Sequence, residues 1–235
     1  MKTISIIIPC YNHTAALVRS LQTLRNQSVK PTEVIIIDDG SDTSLQMEHL
    51  GQAAKDLPIT IYWQKHAGAP AARNTGFSHA SSEYVVFWDA DLLAKPTMLA
   101  KMATALAQHS DASFVYSDYY FGKHKMRARP FSFAALKKQN YIHSSSMIRS
   151  SDVNPWDESL KKFQDWDFWL TLTKNGKKGY YIPELLFTLI PHKNGISAWL
   201  PSFAYKTPWK YLPGIRMRVQ TYEQAKNSIT KKHAL

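Results

Sequence analysis

Cysteine is almost absent: Cys10 stands alone among 235 residues. That excludes an internal disulfide and suits a reducing compartment. No apolar run approaches the length of a membrane span. A secretory leader is not expected either, because Lys2 is followed only by ISIII before Pro9, with no room for a leader's apolar core and no cleavage site. The expected setting is therefore cytoplasmic, free or peripheral on a membrane. Acid is missing from one long stretch. Between Tyr119 and Ser151 there is none, while Lys123, Lys125, Arg127, Arg129, Lys137, Lys138 and Arg149 are basic. From Trp199 to Leu235 seven basic residues face one acid, Glu223. The whole chain carries 29 Lys and Arg against 18 Asp and Glu, a net charge of +11. Such a surface attracts polyanions, so nucleic acid, anionic lipid headgroups and phosphorylated substrates all come into consideration. Internal repeats and low-complexity segments are absent as well. A hydrophobic content of 44% and a mean hydropathy of −0.33 fit one large domain, or one domain with a tail.

What is present has a clear rhythm. ISIII (4–8), EVIII (33–37), ITIYW (59–63) and YVVFW (84–88) read as strands. The stretches 13–27, 43–56 and 69–80 between them read as helices. Alternation of this kind predicts βαβ units and a doubly wound, mostly parallel sheet. Ligands bind such sheets at the carboxyl ends of the strands. That rim collects Pro9 to Asn12, Asp38 to Ser41 and Asp89 to Asp91. Further on, a helix is predicted over 96–108, a strand over 113–116, a helix in the stretch 164–176 that ends before Gly176, and extended chain over 180–190, with Pro183 marking a break or an edge.

One segment concentrates the chemistry. In YVVFWDADLLAKP (84–96) an apolar strand ends in two carboxylates separated by one residue. Side chains at i and i+2 of a strand point the same way. Two like charges so placed repel unless a cation lies between them, and hard divalent cations favour oxygen ligands. The plainer reading is that Asp91 caps the next helix and Asp89 sits in a solvated turn.

SIIIPCYN (5–12), VIIIDDGSDT (34–43), AGAPAARNTG (67–76), VVFWDADLLAKP (85–96) and WDESLKKFQDWDFWLTL (156–172), in this order, resemble glycosyltransferase family 2. The resemblance covers roughly residues 3–198. It implies a GT-A fold, a Rossmann-like doubly wound sheet flanked by helices with a less regular acceptor-side part. It divides the chain into a transferase domain over 1–198, with a nucleotide-sugar half to about 95 and an acceptor half from about 96, and a basic aromatic tail over 199–235. The family's roles, carried over by motif, put Pro9, Tyr11 and Asn12 beside the base and ribose, and Asp39 and Ser41 on the base or ribose. Arg73 and Asn74 approach the nucleotide. Asp89 lies near ribose and metal, and Asp91 on the metal itself, Mn²⁺ or Mg²⁺. His192 reaches the metal or the diphosphate, and Asp165 is the base that takes the acceptor's proton. Gln164 and Trp166 fall on the acceptor side. The implied reaction inverts the anomeric centre, with UDP as the commonest nucleotide. The implied acceptor is a glycan or a lipid-linked hydroxyl, in settings such as cell-surface polysaccharide or lipopolysaccharide assembly.

The chain departs from the family's pattern where Gln164 replaces the usual glutamate, where His66 replaces a common asparagine, and where Ile190 and Pro191 occupy the neighbourhood of an arginine. Most of these residues also have plainer uses: Asp38 to Asp42 as a turn and cap, Arg73 as a surface cation, and Asp165 with Asp167 as complements to a helix dipole. Three other classes compete. A nucleotidyltransferase would carry a Gly-rich basic loop near its start, and SIIIPCYNHTAAL has neither glycine nor lysine. A binding module that has lost catalysis is favoured only by Gln164. A nucleic-acid-binding protein is suggested by the charge, yet no such module is recognisable. The tail mixes Trp199, Phe203, Tyr205, Trp209 and Tyr211 with Lys206, Lys210, Arg216 and Arg218. That composition suits an anionic membrane surface, or a tail packed across the domain.

Overall fold

A computed structural model of the chain describes residues 2–191, 212 and 214–235. The first half runs β1 (Ile4–Cys10), α1 (Thr14–Arg25), β2 (Glu33–Asp38), a short α2 (Met47–Leu50), a 3₁₀ turn (Gly51–Ala54), β3 (Ile59–Trp63), α3 (Ala69–Ser78) and β4 (Tyr84–Phe87). The second half runs β5 (Leu92–Ala94), α4 (Met98–Gln108), β6 (Phe114–Phe121), β7 (His124–Met126), α5 (Phe133–Lys138), β8 (Met147–Arg149), α6 (Gln164–Lys174), β9 (Gly179–Leu189) and α7 (Ile215–His233). Among the described residues one sheet takes all nine strands in the order β3-β2-β1-β4-β8-β6-β9-β5, with β7 paired to β6. Strands β3, β2, β1 and β4 are parallel, as the βαβ rhythm predicts. Beyond β4 the sheet becomes mixed: β8 is antiparallel to both β4 and β6, and β9 is parallel to β6 but antiparallel to β5.

The alternation of side chains along each strand divides the interior in two. Ile4, Ile6 and Ile8 of β1 join Val34, Ile36 and Val86 on one face, under Leu17, Leu21 and Leu24 of α1. Ile7, Val85, Phe87 and Phe114 face the other way and meet Phe168, Trp169 and Leu172 of α6. Burial on both faces explains why these strands are unbroken apolar runs. Close packing also dictates composition on α3, where a Cβ at Gly76 would run into Ile7 Cγ2.

Three local readings change. The helix expected over 43–56 is cut short, because Leu45 N–H donates to Asp38 Oδ2 and Gly51 adopts φ 50°, a left-handed value that ends α2. Between the two carboxylates' loop and α4 lies a three-residue strand, β5, pairing with the end of β9. Pro183 does not break β9 but does lie on its edge, since β5 pairs only with Phe187–Leu189. The pairing skips from Ser117–Ile182 to Asp118–Leu185, so the proline sits in a bulge where no ladder N–H is needed. Among the described residues no helix is long and apolar enough to cross a membrane.

Candidate active site

The register of the parallel strands brings their carboxyl ends level: Cys10 pairs with Asp38, and Asp38 with Trp63. Just past them, Asn12 at φ 55° donates its backbone N–H to Ser41 Oγ at 3.0 Å, its Nδ2 donates to Asp42 Oδ2, and its Oδ1 accepts from the Asp42 backbone N–H. Asp38 is buried and accepts from the N–H groups of Ser41 and Leu45 at 3.0 and 2.8 Å. It is thus the cap of a turn. Asp39, 2% exposed, accepts from Gln64 Nε2, Ala67 N–H and Gly68 N–H at 2.7–2.9 Å, and lies 2.9 Å from His66 Nδ1. Its carboxylate thus accepts three bonds from residues 64–68, and His66 Nδ1 also lies 3.0 Å from the Asp39 backbone oxygen. Tyr11, exposed, stacks on His66 with centroids 4.1 Å apart. The rim here ends in a flat aromatic surface open to solvent, with Pro9 in the strand beneath.

The central carboxylates are held from behind. Trp88 is fully buried, and its indole N–H donates to Ser20 Oγ at 2.7 Å, which in turn donates to Leu92 O at 2.6 Å. Both ends of the Asp89–Asp91 loop are thereby fixed to α1. Burial, and next the charge of Asp89, push the Asp91 carboxyl up to about 7. Asp89 receives Arg73 Nη2 on Oδ1 at 3.0 Å. Arg73 itself is 5% exposed, lies 4.4 Å over the Trp156 ring and reaches Gln164 Oε1 at 3.5 Å. Its neighbour Asn74 is tied to the backbone of Trp156 in both directions and to Glu158 Oε1. The arginine is thus a buried bridge between the Asp89 loop and the start of α6, and the asparagine a clasp on the loop after residue 155.

Asp165 enters from the first turn of α6. Phe163 just before it is held left-handed at φ 58°, a costly conformation for an aromatic residue, by ring contacts with Trp166 and Tyr222. Burial raises the Asp165 carboxyl above its usual range; His143 and Arg73 pull it down, and Asp89 adds to the rise. The Tyr119 hydroxyl is raised by burial and then by Asp165 and Asp89, and its ring lies 4.9 Å from that of His143. Gln164 donates to Leu160 O at 2.9 Å. Trp166, expected on the acceptor side, is instead 4% exposed and donates its indole N–H to Leu136 O, tying α6 to α5. Helical spacing turns it inward, away from the surface that Asp165 reaches. His192 lies outside the described residues.

The donor set suits a divalent cation. Two carboxylates on one short loop, one with its proton affinity raised by the other, carry repulsion that an oxygen-seeking cation would relieve. Among the described residues no third histidine, cysteine or carboxylate completes a metal cluster. The remaining coordination positions would fall to a ligand.

Three participants escape sequence reading. His143 Nε2 lies 3.6 Å from Asp89 Oδ2, Ser144 N–H donates to Asp165 Oδ2 at 3.3 Å, and the Trp156 ring underlies Arg73. The only trace of the first two is a polar run, HSSS, leading into an apolar strand.

Known proteins of the same build follow from this geometry. A family model described as glycosyl transferase family 2 matches residues 5–172. An uncharacterized glycosyltransferase of Bacillus subtilis, YwdF, is 30% identical over 186 residues, covering 73% of this chain and 68% of the relative. Among solved structures, residues 1–349 of S. aureus TarS in complex with UDP-GlcNAc superpose with a TM-score of 0.68 at 18% identity, over 85% of this chain and 62% of that one. The mannosyltransferase PcManGT of Pyrobaculum calidifontis, in complex with GDP-Man and Mn²⁺, gives 0.64 at 20% identity, over 84% and 59%. The chain therefore spans about three fifths of these solved structures. At such identities the likeness establishes the fold, which is GT-A. Together with a family model that takes in every strand from β1 to β8, it makes this chain a member of glycosyltransferase family 2.

Proposed function

We propose that the chain moves a sugar from a nucleotide diphosphate sugar, UDP-linked by preference, to a hydroxyl of a glycan or lipid-linked acceptor, with inversion. The observation that carries this is the bridge of Arg73 from Asp89 to Gln164, which ties the donor-side carboxylate to the helix bearing Asp165. Asp165 takes the proton of the acceptor hydroxyl as that oxygen bonds to the anomeric carbon and the bond to the diphosphate breaks. A carboxyl raised by burial is a stronger base than a solvated one, which suits this task. Tyr11 and His66 offer a stacking surface for the base, and Pro9, Asn12 and Ser41 border it. Asp39 orders the 64–68 loop beside that surface. Asp91 and Asp89 would hold Mn²⁺ or Mg²⁺, which would supply charge neutralisation at the leaving diphosphate. Arg73 acts on the nucleotide through Asp89 rather than by direct contact. Residues 1–198 form the transferase domain in this reading. The exposed Lys123, Lys125 and Arg127 at the β6–β7 hairpin favour an acceptor that carries negative charge, presented at an anionic membrane surface.

The test is thermal stabilisation by UDP, dTDP, GDP and CDP, each with and without Mn²⁺. One nucleotide at 100 times its Kd stabilises by about 2.7 kcal/mol, or roughly 5–10 °C in a chain of this size. A metal-independent response, or none to any nucleotide, sinks the proposal.

A further inference from the structure

The turn before β8 is built at a cost that packing alone does not explain. Ser144, Ser145 and Ser146 are each at most 2% exposed, and Ser145 Oγ is without a hydrogen-bond partner. Burying hydroxyls is unfavourable unless their bonds repay it. What the turn achieves is a single orientation of His143. Ser145 N–H donates to His143 Nδ1 at 3.1 Å, so a neutral imidazole carries its proton on Nε2. Ser146 Oγ donates to His143 O at 2.7 Å. Tyr119 and Phe187 flank the ring at 4.9 and 5.4 Å, leaving the side chain 11% exposed. Nε2 then stands 3.6 Å from Asp89 Oδ2, and Ser144 Oγ 3.5 Å from the same oxygen. The Ser144 N–H meanwhile donates to Asp165 Oδ2 at 3.3 Å. Arg73 occupies the other Asp89 oxygen, Oδ1. One rigid turn thus addresses both the donor-side carboxylate and the base.

We propose that His143 is a positioning residue for sugar transfer, its Nε2–H orienting Asp89 while the adjoining Ser144 N–H orients Asp165. The inference rests on the transferase reading above. A separation of 3.6 Å is too long for a hydrogen bond, and it closes to one when the donor is bound, as contacts of this kind often tighten only in the complex. Strand β8 carries the turn between the two halves of the sheet, so His143 couples where the donor sits to where the base points.

Two polar variants separate this role from mere packing. In His143→Asn the amide oxygen can still accept from Ser145 N–H, but nothing reaches the Nε2 position. In His143→Gln the amide nitrogen can reach it. The probe is release of UDP from UDP-GlcNAc with Mn²⁺, water serving as acceptor, or of GDP from GDP-mannose where GDP is the stabilising nucleotide; nucleotide Kd is measured in parallel. His143→Asn should lower kcat by roughly 10- to 100-fold, the scale of a misplaced reacting group, with Kd changed less than about threefold. His143→Gln should recover most of that loss. Equal kcat in wild type and His143→Asn, no recovery in His143→Gln, or parallel losses in kcat and affinity would each overturn the positioning role. A wild-type chain that binds and turns over neither nucleotide sugar would overturn the transferase reading, and this inference with it.

Discussion

Asp165 and Asp91 make opposite demands on a substitution. Asp165→Asn keeps the shape of the side chain and removes the proton acceptor. It should leave nucleotide binding intact and cut transfer by roughly 10²- to 10⁴-fold, measured as product formation at saturating donor. Asp91→Ala should instead abolish the metal-dependent part of nucleotide stabilisation; an unchanged thermal response would remove Asp91 from the donor site. The place of Asp89 and Asp91 at the strand rim was legible because a strand's period of two and the rim rule of parallel sheets are both local signals. His143 was not, since its role depends on β8 lying between β4 and β6, a pairing that no run of adjacent residues announces. Asn74 and Trp166 show the converse. Motif position marked them as ligand-facing, yet one clasps the Trp156 backbone and the other is tied to Leu136.

At the scale of elements, the first half of the chain was readable because βαβ units repeat one pattern. The second half mixes short strands with antiparallel pairing, and β5, β7 and β8 are only three residues long. Nothing so short has a periodicity to detect. The α3–β1 contact is where an element's composition matters most. Gly76→Ala places a methyl against Ile7 Cγ2, on a side chain that is fully buried. The expected cost is about 1–3 kcal/mol, read as a lower urea midpoint with an unchanged slope. A neutral or stabilising alanine would show that α3 can slide on the sheet, and the placement of Arg73 would then need another anchor.

Across the whole molecule, the C-terminal helix α7 closes over α6, which bears Asp165. Lys232 of α7 bonds Asp157 at 2.6 Å and Asp167 at 2.8 Å, and His233 reaches Asp167 at 2.7 Å. Ile229 is fully buried in the same cluster as Trp166 and Trp169. The Lys232 ammonium, followed by Ser159, holds the Asp157 carboxyl down at about 2. A carboxyl depressed on folding contributes stability that is complete above its unfolded value, near 3.9, and is lost as pH falls towards about 2. Wild type should therefore lose stability faster than Asp157→Asn between about pH 4 and 2, the two denaturation curves drawing together at the lower limit. Parallel curves would mean that the pair is too screened to matter.

Strand β8 has a consequence for the order of assembly. Its three residues join β4, made long before, to β6. As the chain leaves the ribosome, β1 to β4 can already pair among themselves, because their partners all lie within the first 87 residues. The remaining strands must wait for residues 147–149 to complete the sheet. Non-local pairing of this kind is slow, and it leaves the β4 edge open in the interval. Pulsed hydrogen exchange during refolding should find β1, β2 and β4 protected first and β6 and β9 later. The rim proposed to take the nucleotide would then exist, in time as well as in sequence, before Asp165, the proposed base, is held in place.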